Sequence, residues 1–239
     1  MKTGLFIVIV LLSGCFAGTI YGGLNLLIVE PYLDDAINIE NQNLFSAGEE
    51  IDGPEFWVEY YEYRTWQKGG EVLAGAILGT SLGSLFGIVY ALSKKSLPSK
   101  NNIGKTLILA GLMWFTLFVI PFLKYPANPP TVGDEDTVVL RGMLYLTLIA
   151  ISGFMALGFY QIFKRLKNKN KILPIIGYAI LISLTLFMMP ENPDEISTSM
   201  ELINGFRIVA FFTGTLFWFT LALFLGIFWQ KVNPDLSNT

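Results

Sequence analysis

The sequence predicts an all-α polytopic membrane bundle of about six transmembrane helices, with both termini in the cytoplasm. Three observations predict it. Hydrophobic residues make up 53% of the 239 and charged residues only 15%, with a mean hydropathy of +0.54; a soluble domain of this size needs more charge to cover its surface. The apolar residues gather in blocks of about 20, the number of helical residues that crosses a bilayer core of about 30 Å. A helix also satisfies its own backbone hydrogen bonds, which lipid cannot do. Finally, the lysines and arginines fall mostly on one side of the map that these blocks define.

The blocks cover residues 4–29, 71–93, 105–123, 142–163, 172–190 and 206–230, within one integral membrane domain spanning 1–239. The remainder of any size is an external segment over 30–70. The first block contains Leu12-Ser13-Gly14-Cys15 after Lys2, the pattern of a lipoprotein signal. Its apolar run continues to Val29, beyond the 7–15 residues of a signal core, so the helix is expected to be retained. It carries Gly14, Gly18 and Gly22, and the second block carries Gly75, Gly79, Gly83 and Gly87. Each set repeats every four residues and forms a smooth stripe along one face. Such stripes let helix backbones touch, which is what drives association in lipid. The stripes are expected to pack the first helix on the second, or one of them on another subunit. The fifth block, with Pro174 near its start, is the weakest.

Orientation follows Lys and Arg in short loops. Eleven of the sixteen basic residues, among them Lys94, Lys95, Lys164 and Arg165, lie on the side of the termini, which is therefore read as cytoplasmic. Every acid except Asp235 then falls outside. An acidic outer face concentrates cations at the membrane mouth; it also simply solvates loops. In the external segment, Phe56, Tyr60 and Tyr63 share a helical face suited to the aromatic belt at the interface. Glu55, Glu59 and Glu62 line a neighbouring face that would either hold a cation or stay solvated.

The chain has no histidine and a single cysteine, Cys15. That removes the usual general base, the commonest transition-metal ligand and any thiolate cluster. No nucleophile–base pair is recognisable, so the protein is not expected to be an enzyme or to hold a permanent cofactor. Gly104-Lys105-Thr106 resembles the tail of a phosphate-binding loop. The loop's first glycine is replaced by Ser99 and the segment opens a membrane helix, so it is set aside.

The strongest internal repeat lies where outgoing helices reach the outside. Pro126-Ala127-Asn128-Pro129 follows the third helix and Pro190-Glu191-Asn192-Pro193 the fifth; each is followed by acids, Asp134-Glu135-Asp136 and Asp194-Glu195. Arg141 and Arg207 then precede the returning helices. Val29-Glu30-Pro31, with Asp34 and Asp35 beyond, ends the first helix in a looser version. Proline stops a helix and frees carbonyls; with an amide and carboxylates these make an oxygen donor set for a loosely held hard or borderline cation. The expected metal-facing residues are Glu30, Asn128, Asp134, Glu191 and Asn192, braced by Arg141 and Arg207. Glu30 and Glu191 are the acids expected to stay unpaired. The same proline segments would also serve as plain helix stops.

At LNLLIVEPYLDDA, FLKYPANPPTVGDEDT, MPENPDE and GFRIVAFFTGTLFW the chain resembles the predicted cobalt transporter subunit family, CbtA. The order of these motifs agrees across nearly the whole chain. The resemblance implies a multi-pass protein of the cell membrane that takes part in cobalt uptake, with cobalt as a transported ion. It also implies other membrane subunits, among them a small histidine-rich CbtB-like partner. Beyond these subunits and lipid no partner is expected, and no nucleic acid. Absence of histidine and a count of six spans, where five are often drawn, are departures from the family. The other reading of the chain is a non-transporting scaffold subunit whose glycine stripes are the working surface.

Overall fold

The computed structural model describes residues 2–130, 132–193 and 198–235, and among them every regular element is helical. Six long helices follow in order: α1 Thr3–Ala47, α2 Pro54–Ser93, α3 Asn102–Lys124, α4 Val138–Arg165, α5 Ile172–Met188 and α6 Met200–Val232. All but α5 are long and apolar enough to cross a membrane; α5 has the composition but only 17 residues.

The first two helices are far longer than the apolar blocks suggested. At 1.5 Å per residue α1 runs about 68 Å and α2 about 60 Å, against a bilayer core of about 30 Å. The first helix was expected to end at Glu30-Pro31, and it does not. Pro31 cannot donate to the carbonyl of Leu27, and its ring crowds that carbonyl. The helix absorbs this by widening into a π turn over Asn25–Val29, where the Glu30 N–H reaches back to the Asn25 carbonyl. It then continues to Ala47 and stops at Gly48, which takes a left-handed φ of 74°. In α3 the same device recurs: a π turn over Phe115–Val119 lies immediately before Ile120-Pro121, with the Ile120 N–H on the Phe115 carbonyl. Single π turns of this kind concentrate at functional positions.

The expected aromatic-belt helix is likewise the first part of α2, in line with its glycine stripe, so it stands along the α2 axis rather than lying flat. Its rings close the tip of the α1–α2 hairpin. Phe45 of α1 packs edge-on against Phe56 at 4.9 Å, Phe56 stacks on Tyr60 at 6.2 Å, and the Trp57 indole donates to Asp52 at 2.8 Å.

The helices divide into two compact units. One comprises α1, α2, the first half of α3 and α6. Here the glycine stripes meet backbone to backbone: a Cβ on Gly14, Gly18, Gly75 or Gly79 would strike the facing backbone, and one on Gly22 would lie 2.8 Å from the Glu71 carbonyl oxygen. Helix α1 is also lined by α6, through Phe16 on Phe224 and Tyr21 on Phe217, both at 5.6 Å. Thr106, from the discarded phosphate-loop motif, is fully buried and donates to the Ala222 carbonyl of α6 at 2.7 Å. The ends of the chain meet as well: the Lys2 N–H donates to the Pro234 carbonyl at 2.7 Å.

The other unit comprises the second half of α3 with α4 and α5. Ile120, Leu148 and Ile182 form its buried core, flanked by Tyr125, Met155, Tyr178, Leu186 and Met189. Ser152 and Tyr178 share a hydrogen bond of 2.9 Å between α4 and α5. The outer face of α5, with Ile176, Ile180, Leu184 and Phe187, is exposed apolar surface suited to lipid.

Candidate functional site

Two groups of polar residues stand at helix ends, one in each unit. In the unit of α3–α5, the third and fifth helices stop as the prolines require, at Lys124 and Met188. Tyr125 then donates from its hydroxyl to the Pro190 carbonyl at 2.6 Å. This single bond ties the two Pro-Asn-Pro segments together, so that Asn128 follows Tyr125 by three residues while Glu191 and Asn192 follow Pro190 directly. Asn128 is half-buried; Glu191 and Asn192 are exposed. Tyr125 went unnoticed in the sequence, although a tyrosine just before the first Pro-Asn-Pro copy was a visible signal.

Asp134 sits in the same unit, exposed, and its carboxylate accepts the Asp136 N–H at 2.9 Å, capping the short turn over Glu135–Thr137 that leads into α4. Arg141, from the first turn of α4, folds back and donates to the carbonyls of Val132 and Asp134, both at 3.2 Å. It fits because Gly133, at φ 128°, leaves the space where a Cβ would meet the guanidinium. Arg141 thus pins the loop that carries Asp134 through its backbone carbonyls. Of the second motif's acids, Asp194 and Glu195 lie outside the described residues, as does the side chain of Glu135.

Glu30 belongs to the other unit. It was expected to be unpaired, and it is not: buried at 6% exposure, it forms an ion pair with Arg64 of α2, itself 8% exposed. Arg64 also donates to Asp34 at 2.8 Å and to Gln67 at 2.7 Å, and Lys68 reaches Asp34 at 2.7 Å and Glu30 at 4.0 Å. The glycine register explains the pairing. Gly14 faces Gly79, Gly18 faces Gly75 and Gly22 faces Glu71, so the same antiparallel register, shifted by one residue, brings Glu30 level with Arg64. Charge-assisted bonds of this sort fix geometry strongly. Arg64 and Lys68 are the residues that sequence reasoning missed, and the glycine spacing, extended outward, was the signal that could have found them. Arg207, in α6, stands near the level of Glu30, because Gly205 packs against the Tyr32 ring.

No group of three His, Cys, Asp or Glu able to hold a metal occurs among the described residues. The oxygen donors therefore fall into two sets: an exposed one of amides and single carboxylates around the proline segments, and a buried ion-pair network at the top of the glycine seam.

No curated protein matches the chain. No solved structure matches it either. The sequence pattern of the family described as "Probable cobalt transporter subunit (CbtA)" matches residues 4–230. With apolar helices of spanning length, a repeat of helix stop, amide and acid, and this match over nearly the whole chain, the protein belongs to the CbtA family of cobalt transporter subunits, a multi-pass membrane protein.

Proposed function

We propose that this chain is the membrane subunit of a divalent-cation uptake system, with cobalt as its ion, and that its acidic external mouth collects the cation from outside. The observation that carries this reading is the Tyr125–Pro190 hydrogen bond, which draws the two Pro-Asn-Pro segments to one end of their helix unit. Asn128, Asp134, Glu191 and Asn192 there offer amide and carboxylate oxygens, a donor set for weak and reversible ligation. Arg141 holds the Asp134 loop in place. In the other unit, Glu30 fixes α1 to α2 through Arg64, and Arg207 stands near its level. Both termini lie in the cytoplasm, as the Lys/Arg distribution supports. No ATP-binding signature accompanies the site, so a partner supplies what the chain lacks: a small histidine-rich CbtB-like subunit, within an assembly of other membrane subunits. No cofactor is held permanently and no covalent chemistry is assigned.

Uptake of labelled cobalt by cells carrying the chain with its partner subunit tests this directly. Glu191→Gln combined with Asn192→Ala should lower the rate several-fold while membrane abundance stays normal. Uptake at the unaltered rate would remove the mouth and favour the scaffold reading.

A further inference from the structure

The two glycine stripes end outward in polar residues. Four positions before Gly75, at the next place in the α2 stripe, stands Glu71; three positions after Gly22, α1 offers Asn25, in its π turn. Backbones are in contact here, since a Cβ on Gly22 would lie 2.8 Å from the Glu71 carbonyl oxygen and 2.8 Å from Val72 Cα. Helical side chains tilt toward the N-terminus of their own helix. Glu71 is thereby carried outward along the seam, the direction in which Asn25 lies. Glu71 Oε2 and Asn25 Oδ1 are both shielded from solvent, and neither has a hydrogen-bond partner among the described residues.

Two buried acceptors at one level of one seam call for a single donor. An ionised carboxylate only accepts, whereas a protonated one donates. The surrounding charges point the same way. From α2, Arg64 and Lys68 face this level; from α1, Glu30 and Asp34; from α6, Arg207 stands beyond them, and Tyr21 of α1 packs on Phe217. Arg64 and Lys68 are already matched by Glu30 and Asp34. With both engaged, neither is left to hold an ionised Glu71, whose shielded oxygen would carry charge without a partner. A divalent metal suits the place less well, with two cations beside it and one carboxylate to hold it.

We propose that Glu71 is a proton-binding site: its carboxyl is protonated in the resting protein and donates to Asn25 Oδ1.

Infrared difference spectra of the full chain in lipid nanodiscs, taken across the neutral range toward alkaline pH, read the proton itself. A protonated-carboxyl C=O band should disappear on titration, be missing in Glu71→Gln, and move to higher frequency in Asn25→Ala, where its acceptor is gone. Glu71→Asp, which keeps a carboxyl, should keep a shifted band and covers the case in which the glutamine variant does not assemble. A band unchanged in Glu71→Gln and unmoved in Glu71→Asp would overturn the site.

Discussion

Arg64 is 8% exposed and meets two carboxylates and an amide, so its charge is matched on one side by Glu30 and Asp34 and held in place by Gln67. Removing one member of a buried pair strands the other, at about 3–5 kcal/mol. Arg64→Ala should therefore destabilise the chain by about that much in thermal unfolding in detergent. Adding Glu30→Gln should recover part of the loss, because the stranded charge goes with it; a strictly additive pair would show that the two side chains do not act together. At the opposite end of the same helix, Asp235 pairs with Lys94 and accepts from the Trp229 indole at 3.1 Å, while Lys94 lies 4.7 Å over the Trp229 ring. Burial alone would raise the Asp235 carboxyl, but the bonds from Lys94 and Trp229 and the Lys94 charge outweigh it and hold it below the ordinary aspartate range. A folded value below the unfolded one means that the contact stabilises at neutral pH and is lost as pH falls through the lowered value. Trp229 emission should shift on acidification below the ordinary aspartate range in the unaltered protein. In Asp235→Asn the shift should be absent, since the titrating group is gone.

Among the elements, the seam between α1 and α2 is the least tolerant. Gly79 and Gly83 face backbone, and overpacking of a tight core costs about 1–3 kcal/mol even for small additions. Gly79→Ala should cost about 3 kcal/mol, and Gly79→Leu or Gly83→Leu should prevent assembly. Gly158→Leu should be neutral, because nothing lies within 4 Å of the position. Equal effects at the three sites in a detergent-resistance assay would mean that the seam is not the contact. The two stripes were legible from spacing, which left open whether they meet each other or another subunit; the facing backbones of Gly14, Gly18, Gly75 and Gly79 show that they meet each other. The outward continuation of the same two helices was not legible. Pro31 reads locally as a stop, and only the π turn before it, a feature of backbone hydrogen bonding rather than of residue type, lets α1 run on to Ala47. The same oversight hid the Glu30–Arg64 pair, which lies in the segment over 30–70 that was read as separate from both helices. In the proline segments the reverse held. There the prolines do end their helices, at Lys124 and Met188, where order and composition placed the stops.

For the molecule as a whole, the bond from Lys2 to Pro234 places both ends of the chain at the same end of α1 and α6. A chain whose ends share a side crosses an even number of times, so α5, at about 26 Å, should cross with the five longer helices. Cysteines introduced at 167 and 191 should then react with an impermeant reagent from opposite sides; reaction from one side would leave α5 uncrossed. The meeting of the two ends also has a consequence in time. Helix α1 leaves the ribosome well before α6, yet α1 buries Ile9, Val10, Ser13 and Ala17 in a unit that α6 completes. Until then the membrane insertion machinery must hold α1 with its docking surface only half covered, and the nascent chain matures only when α6 arrives. A chain terminated after residue 199 should insert but be cleared by membrane proteases, and pulse–chase half-lives should show the drop; supplying residues 199–239 as a separate polypeptide should restore its lifetime.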